Sequence, residues 1–435
     1  MPALKKLFLG ILFILFIGCS QNNLKNGEGK VHVEKRNGRY IIYKNNKPFF
    51  IKGAAGYSHL DVLNAAGGNT IRIWDTTHIA DILQQANKNH IAVIIGLSIP
   101  ESVYTEYYDD TVKVNRQFQS YKKLVNKYKN DPAILMWCVG NELDFPFKLP
   151  FNNFYSAFNH IVEMIHHDDP DHPVTTTMVN FQPGDTFNIK TRTDIDIISF
   201  NIFGELTGFK NAFKYYKWLW NGPYLLTEWG VNGPWEDKKT TWEAAIEPTS
   251  TWKAKVILQR YKTIVPLNDP RFIGSFIFYW GQKQEITPTW FSLFDEDGKK
   301  TEVINAMQYI WLGTWPVHQP PQILDLLVNR KKGDNNIFLS PGANINAEIV
   351  LTMPDSAIST IKWKLYKEDW YRRTNINNTT KLTPLSETTV DGKTLKSAFT
   401  APRKEGPYRL FAYVYDKYGY VATCNVPFYV LEDTK

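Results

Sequence analysis

Short apolar runs alternate with longer amphipathic stretches along most of the chain. Eight runs lie between residues 48 and 280, and each is continuously apolar, as expected for parallel strands buried on both faces. The predicted strands are 48–54, 69–74, 91–97, 133–141, 173–179, 195–201, 223–229 and 272–280. Helical patterns accompany them at 58–66, 77–89, 111–129, 151–167, 184–192, 207–220, 241–265 and 302–312. Eight strand–helix units predict an α/β fold, a (β/α)8 TIM barrel.

The pattern changes at a proline-rich stretch near residue 316. Beyond it, short strands separated by turn signals predict a β-sandwich, and its last hairpin resembles those of immunoglobulin-like modules. We therefore expect a barrel over 40–315, a linker over 316–322 and an immunoglobulin-like β-sandwich over 323–435. A doubly wound open sheet is the alternative for the first part, but no glycine-rich phosphate loop follows the first strand.

The N-terminal residues resemble a targeting signal. Lys5 and Lys6 precede an apolar run that is too short for a membrane span, and Cys19 follows it. This arrangement resembles a bacterial lipoprotein signal, which implies a signal peptide over 1–18, lipidation of Cys19 and a tether over 19–39. We expect a lipid-anchored protein of the cell envelope, at the outer membrane. An ordinary secretory signal or an uncleaved anchor remains open.

Charge and cysteine content narrow the possible partners. The 50 basic and 43 acidic residues leave a net charge of +7, and no run of five basic residues points to nucleic acid. Cys138 and Cys424 are expected to be small buried side chains rather than a disulfide.

The acid- and histidine-rich stretch 166–173 precedes the fifth strand, away from the end of the barrel that carries the chemistry, and is interpreted as a loop. We expect a monomer without a metal or cofactor.

Two glutamates stand where barrel enzymes keep their chemistry. Glu142 follows the fourth strand and Glu228 ends the seventh, 86 positions later. Strands four and seven face each other across the barrel mouth, so both carboxyl groups point at one substrate. Glycosidic cleavage needs such a pair, and a separation of about 5–5.5 Å means retention whereas about 6.5–9.5 Å means inversion.

The sequences around these glutamates resemble a known clan. WCVGNE (137–142) and LLTEWG (225–230) resemble the paired signatures of the clan A retaining glycoside hydrolases, over about residues 40–315. The stretches FFIKGAAGY, NTIRIWD and ISFNIFG look like family 2 barrels. The segment 279–302 looks closer to family 158 endo-β-1,3-glucanases, which pair a barrel with an immunoglobulin-like domain.

The resemblance implies a role for each matching residue. Glu142 would be the acid/base, with a pKa raised by burial beside a second carboxylate, and Glu228 the nucleophile, kept ionised by a nearby cation. Arg72 would support the nucleophile, Asn141 would bind the sugar 2-hydroxyl, and Trp280 would form the aromatic floor under the cleaved sugar.

Further substrate-binding candidates surround the pair. Asn201 ends the sixth strand, and Phe203 cannot donate the hydrogen bond that many clan members give the nucleophile, so Tyr57 or Tyr224 is expected to supply it. Trp74 is expected to bind substrate. Side chains that could line further subsites, or merely pack in loops, are Trp74, Asp75, Tyr104, Tyr107, Trp229, Trp235 and Trp290.

These features predict a retaining β-glycoside hydrolase that cleaves polysaccharide β-linkages by double displacement, with endo-β-1,3-glucanase as the specific expectation. A transglycosylase, an exo-acting β-glycosidase of the same clan and a non-catalytic glycan-binding lipoprotein are the alternatives. The β-sandwich is expected to be a rigid spacer. Its Trp363, Trp370 and Tyr371 could instead form a binding platform.

Overall fold

The computed structural model describes residues 30–368 and 382–432, and its larger part is a closed barrel of eight parallel strands. The barrel strands are β4 (Ile51–Gly56), β5 (Thr70–Ile73), β6 (Ala92–Leu97), β7 (Ile134–Val139), β8 (Val174–Val179), β9 (Ile197–Asn201), β10 (Tyr224–Trp229) and β11 (Phe272–Trp280). The helices are α1 (Leu60–Ala65), α2 (Ile79–Lys88), α3 (Thr105–Asp109), α4 (Thr111–Tyr128), α5 (Asn152–Asp168), α6 (Pro183–Arg192), α7 (Leu206–Tyr215), α8 (Ser250–Thr263) and α9 (Glu302–Leu312). Each predicted strand overlaps one barrel strand, so the barrel prediction is confirmed.

Burial explains why the strands could be recognised. Every residue of β6, β7 and β10 is buried, because the barrel interior covers one face and the helices cover the other. The helices bury a single stripe, as α2 does with Ile79, Ile82 and Leu83. Helix α4 begins where the Asp110 carboxylate accepts hydrogen bonds from the backbone N–H groups of the first turn.

A three-stranded sheet precedes the barrel. Its strands are β1 (Val31–Arg36), β2 (Arg39–Lys44) and β3 (Lys47–Phe49). Asn37 and Gly38 both have positive φ, +49° and +80°, which suits the tight turn between β1 and β2. The sheet closes the N-terminal end of the barrel, where Val31 N donates to Asp171 O at 2.9 Å. The predicted tether over 19–39 is therefore wrong for its last residues, since the consecutive buried side chains of Val31, His32 and Val33 tie them to the core.

The C-terminal part is a two-sheet β structure, as predicted. Its strands are β12 (Ile323–Val328), β13 (Phe338–Leu339), β14 (Asn344–Leu351), β15 (Ile358–Lys367), β16 (Ser386–Asp391), β17 (Lys396–Thr400), β18 (Gly406–Asp416) and β19 (Val421–Val430). One sheet has the order β12-β14-β17 and the other β13-β19-β18-β15-β16. Trp363 is fully buried in the core, so it is not part of a binding platform, and Trp370 and Tyr371 lie outside the described residues.

The sandwich is docked on the barrel rather than held away from it. Thr423 N in β19 donates to Ser250 Oγ at the start of α8, at 2.9 Å. Arg409 Nη2 in β18 donates to Ala245 O at 2.6 Å, in the segment between β10 and α8. Buried polar groups therefore join the two parts, and the role of the sandwich as a rigid spacer stays a prediction.

The described residues include no helix that is both long and apolar enough to cross a bilayer. The signal peptide over 1–18 and the lipidation residue Cys19 lie outside them. Cys138 and Cys424 are buried free thiols, as expected.

Candidate active site

A cavity of about 960 Å³ opens where the carboxyl ends of the barrel strands meet the loops that follow them. Glu142 and Glu228 both line it, after β7 and at the end of β10. Its aromatic wall consists of Tyr57, Trp74, Phe203, Trp235, Phe278 and Tyr279. The two glutamates that the sequence singles out thus face one large cavity with many aromatic rings, at the end of the barrel where they were expected.

The backbone after β7 takes an uncommon path to present Glu142. Gly140 has φ of +76°, and a Cβ there would lie 2.2 Å from Leu143 Cδ1, so only glycine fits. Glu142 itself has φ of +55°, a conformation that costs a side-chain-bearing residue about 1–2 kcal/mol. Such strain persists where surrounding structure holds it, and it concentrates at functional sites.

The amide of Asn201 bridges the two glutamates. Its Nδ2 lies 2.8 Å from Glu142 Oε1 and 2.7 Å from Glu228 Oε1, so the sum of these distances, 5.5 Å, is the largest separation those two oxygens can have. Thr227 Oγ1 donates to Asn201 Oδ1 at 2.9 Å, which turns the amide N–H groups toward the carboxylates. Two facing strands and this bridge therefore hold the carboxyl groups close together.

Glu228 is held by three donors that converge on one oxygen. Arg72 Nη1, Trp74 Nε1 at 2.7 Å and Asn201 Nδ2 all donate to Glu228 Oε1. Arg72 is 1% exposed, and its Nη2 donates to Asn141 Oδ1. Among the described residues, no donor reaches Glu228 Oε2. A buried guanidinium thus pairs with this carboxylate, and the arrangement leaves Oε2 for substrate.

Glu142 stands in a different electrostatic environment. Burial, and then the charge of Glu228, raise the pKa of Glu142 to about 7, although the hydrogen bond from Asn201 acts in the opposite direction. Glu142 is therefore protonated in mildly acidic solution and loses its proton as the pH rises through about 7. One carboxylic acid beside one carboxylate is the pairing that acid-assisted glycosidic cleavage needs.

Trp280 does not lie in the cavity, and its predicted role as the aromatic floor is wrong. It is fully buried, and its Nε1 donates to His59 O at 3.1 Å. The neighbouring Tyr279 lines the cavity instead and stacks on Trp74, with ring centroids 5.7 Å apart. Phe278 and Tyr279 both line the cavity, because the pairing of β11 with β4 shifts register between Phe278 and Trp280 and the simple alternation of faces is interrupted there.

The expected tyrosine contact to the nucleophile is also absent from the described residues. Tyr224 begins β10, far from its carboxyl end, and is fully buried. Tyr57 lines the cavity, but its hydroxyl donates to Asp75 Oδ2 at 3.0 Å. Trp74 Nε1 contacts Glu228 instead. Trp74 was expected to bind substrate. Its hydrogen bond to the nucleophile is a further role, which its position next to the end of β5 could have suggested.

The remaining subsite candidates divide into two groups. Asp75 and Trp235 line the cavity with Trp74, whereas Tyr104, Tyr107, Trp229 and Trp290 do not. Sequence reasoning missed the residues that the loop after β11 and the sandwich bring to the cavity, because neither carries a periodic signal. These are Gln282, Lys283, Gln284, Glu285, Pro288, Glu296, Tyr366 and Leu382.

The stretch 166–173 lies at the opposite end of the barrel and is engaged in structural contacts. The buried Asp169 carboxylate accepts from Trp137 Nε1 at 2.8 Å and pairs with His172 Nδ1 at 2.9 Å. His166 pairs with Asp196 at 2.9 Å. These groups join α5 to the strands beside it. The interpretation of the stretch as a solvated loop is wrong for Asp169 and His172, because both are buried.

Comparison with known proteins agrees with the site. Residues 81–233 match the family model for the TIM barrel domain of glycosyl hydrolases family 2. Over 226 residues the chain is 24% identical to the β-glucuronidases of Homo sapiens and Pongo abelii, an alignment that covers 43% of this chain and 32% of each relative. The chain thus spans about a third of the length of these curated relatives.

Solved structures show the same fold. The β-D-glucuronidase of Dictyoglomus thermophilum superposes with a TM-score of 0.50 and 18% identity, covering 66% of this chain and 54% of that one. The Ruminococcus gnavus β-glucuronidase in complex with a C6-substituted uronic isofagomine has a TM-score of 0.51 and 13% identity, covering 66% and 53%. Together with the family match, these likenesses confirm the predicted enzyme class: the chain carries a glycoside hydrolase TIM barrel similar to that of family 2.

Proposed function

We propose that the protein is a retaining β-glycoside hydrolase with Glu228 as nucleophile and Glu142 as acid/base. The observation that carries this proposal is the shared contact to Asn201 Nδ2, which limits the two facing carboxylate oxygens to a separation of 5.5 Å. This upper limit for the two oxygens lies below the separation of about 6.5–9.5 Å that inverting enzymes need for a water molecule, and it supports a retaining mechanism.

The geometry supports a double displacement. Glu228 Oε2 attacks the anomeric carbon while Glu142 gives its proton to the glycosidic oxygen, so the bond to the leaving sugar breaks and a glycosyl ester forms. Glu142, now ionised, takes a proton from water, whose oxygen attacks the same carbon and releases Glu228. Asn141 Nδ2 has no acceptor among the described residues and is available to the sugar 2-hydroxyl.

The charge of the cavity favours a neutral glycan. Six of its described lining residues are acidic, namely Asp75, Glu142, Glu228, Glu236, Glu285 and Glu296. Lys283 is the one lysine or arginine among them, and its Nζ lies 2.8 Å from Glu285 Oε2. The relatives are named β-glucuronidases, but a uronate would bring another carboxylate into this cavity. A neutral β-glucan, such as the β-1,3-glucan that the family 158 resemblance implies, suits the cavity better.

A reducing-end assay against laminarin, mixed-linkage glucan, mannan, xylan, galactan and an aryl β-glucuronide tests the proposal. We expect cleavage of a neutral polysaccharide, with the β-anomer as the first product by NMR. Glu228→Gln should lower the rate by roughly 10⁴-fold or more, whereas the exposed Glu163→Gln on α5 should not change it.

An α-anomer as first product, or an active Glu228→Gln, would refute the mechanism. Preference for the glucuronide would refute the argument from charge. The ladder of products from the cleaved polysaccharide distinguishes endo from exo action.

We also propose that lipidation of Cys19 anchors the protein in the cell envelope. The supporting observation is the order of Lys5 and Lys6, an apolar run and a cysteine. Full-length protein expressed in a bacterium is expected in the detergent-soluble membrane fraction, and Cys19→Ala is expected to leave it. Equal fractionation of both proteins would contradict the proposal.

A further inference from the structure

We propose that the C-terminal sandwich forms the outer wall of the substrate cavity and binds a glycan chain several sugars away from the point of cleavage. The inference rests on the proposed function. The cavity that holds Glu142 and Glu228 is also lined by Tyr366 at the end of β15 and by Leu382. Two parts of the chain that look independent in sequence therefore share one cavity.

The sandwich is fixed in place by a buried polar network. Arg409 in β18 is 1% exposed and donates to Glu368 at 2.7 Å, to Asn425 at 2.6 Å and to the backbone oxygen of Ala245 at 2.6 Å. Asn425 Nδ2 in turn donates to the buried Glu247 of the barrel at 2.6 Å. Buried charges are tolerated when each is paired and hydrogen-bonded, and such networks hold a single geometry.

The same network holds the loop that follows β11. Glu247 pairs with Lys253 of α8 at 2.5 Å and accepts from Thr287 Oγ1 at 2.6 Å, while Lys253 Nζ donates to Thr289 O at 2.7 Å. Farther along this loop, Val421 N of β19 donates to Lys300 O at 2.9 Å. The loop is therefore clamped between the barrel and the sandwich, and it carries Gln282, Lys283, Gln284 and Glu285 into the cavity.

The chemistry of the outer wall suits a sugar. Tyr366 lies in a small aromatic cluster with Phe411 and Tyr413 on the barrel side of the sandwich, which fixes its ring. Leu382 packs on that cluster, and Glu296 of the clamped loop lines the cavity nearby. An aromatic and apolar surface of this kind matches the C–H face of a pyranose.

The outer wall is expected to raise kcat/KM for long substrates and to leave kcat/KM for short substrates unchanged. We expect Tyr366→Ala and Leu382→Ala to lower kcat/KM for a neutral β-linked hexasaccharide by about 3- to 10-fold, with little change for an aryl β-glycoside of one sugar. Matched controls are Tyr408→Ala, equally buried but outside the cavity, and Leu385→Ala, exposed in the same segment as Leu382. The controls should leave the ratio of the two kcat/KM values unchanged.

Equal losses on long and short substrates, or no loss on either, would overturn the proposal while leaving the proposed function intact. Calorimetric titration of Glu228→Gln with laminarihexaose and mannohexaose, with and without Tyr366→Ala, tests the wall even without turnover. Weaker hexasaccharide binding in the double variant supports it. Unchanged binding, or no binding of either hexasaccharide, overturns it. Failure of the proposed function itself would appear separately, as absent cleavage by the wild-type protein.

Discussion

Removing the amide of Asn201 should move the alkaline limb of the pH–rate profile upward. Glu142 must be protonated to assist departure of the leaving sugar, so kcat/KM of the wild-type enzyme should fall as the pH rises through about 7. The N–H of Asn201 stabilises the ionised form of Glu142 across 2.8 Å. Asn201→Ala removes that stabilisation, the proton binds more tightly, and activity should persist to higher pH.

The size of the effect follows from the shared geometry. A hydrogen bond to a charged group contributes about 1.5–3 kcal/mol, and 1.36 kcal/mol corresponds to one pH unit. Asn201 Nδ2 also donates to Glu228, and water can enter the vacated space. We therefore expect the alkaline limb to move by about one pH unit, which corresponds to the low end of this energy range. The maximal rate should fall roughly 10- to 100-fold, since the nucleophile also loses a donor.

The assay is kcat/KM between pH 5 and 9.5 on an oligosaccharide, whose poor leaving group depends on the acid. Thr227→Val is the matched control, because it removes the hydroxyl that orients the amide of Asn201 but keeps the amide itself. The alkaline limb of this variant should move less than that of Asn201→Ala. Glu142→Gln, measured on an aryl β-glycoside whose good leaving group needs no acid, should show no alkaline limb. A wild-type limb near pH 4.5, or an Asn201→Ala limb that stays or moves downward, would refute the electrostatic reasoning.

Three further substitutions test individual contacts. Trp74→Phe keeps a ring but removes the indole N–H from Glu228, and should lower kcat roughly 10-fold or more while thermal stability holds. Arg409→Met removes a buried guanidinium that contacts Glu368, Asn425 and the backbone oxygen of Ala245, and should lower the free energy of unfolding in urea by about 3–5 kcal/mol. Trp280→Phe should lower the melting temperature through lost packing and leave KM unchanged.

Each of these has an outcome that would contradict it. An unchanged rate in Trp74→Phe would mean that the indole does not serve the nucleophile. Lys362→Met, which breaks the partly exposed pair with Asp297, should cost at most about 1 kcal/mol, so a loss equal to that of Arg409→Met would show that burial is not the cause. A raised KM in Trp280→Phe would indicate that the ring of Trp280 contacts the substrate.

Much of the barrel was predictable because its strands are buried on both faces. Continuous apolar runs such as 91–97 and 133–141 leave few alternatives to parallel strands, and eight of them with intervening helices define the closed form. The N-terminal sheet was missed because its strands are short and half exposed. Its Asn37-Gly38 turn was the available signal.

The sequence predicted those site residues that lie at the carboxyl ends of barrel strands. Glu142 and Glu228 line one cavity because both lie at the carboxyl ends of barrel strands, and Arg72 contacts the nucleophile from β5. The exchange of Trp280 for Tyr279 was not predictable, because the pairing of β11 with β4 shifts register between Phe278 and Trp280, and no sequence pattern marks that irregularity.

The sequence by itself determined the barrel, the two carboxyl groups and the end of the barrel where they meet, since these follow from local patterns of burial. The tertiary structure alone decided how close the two carboxyl groups lie, through the bridge from Asn201, and how far burial raises the pKa of Glu142. It also decided that Tyr366 of the sandwich reaches the cavity. These are through-space relations between residues far apart in the chain, and they exist only once the barrel has closed and the second domain has packed against it.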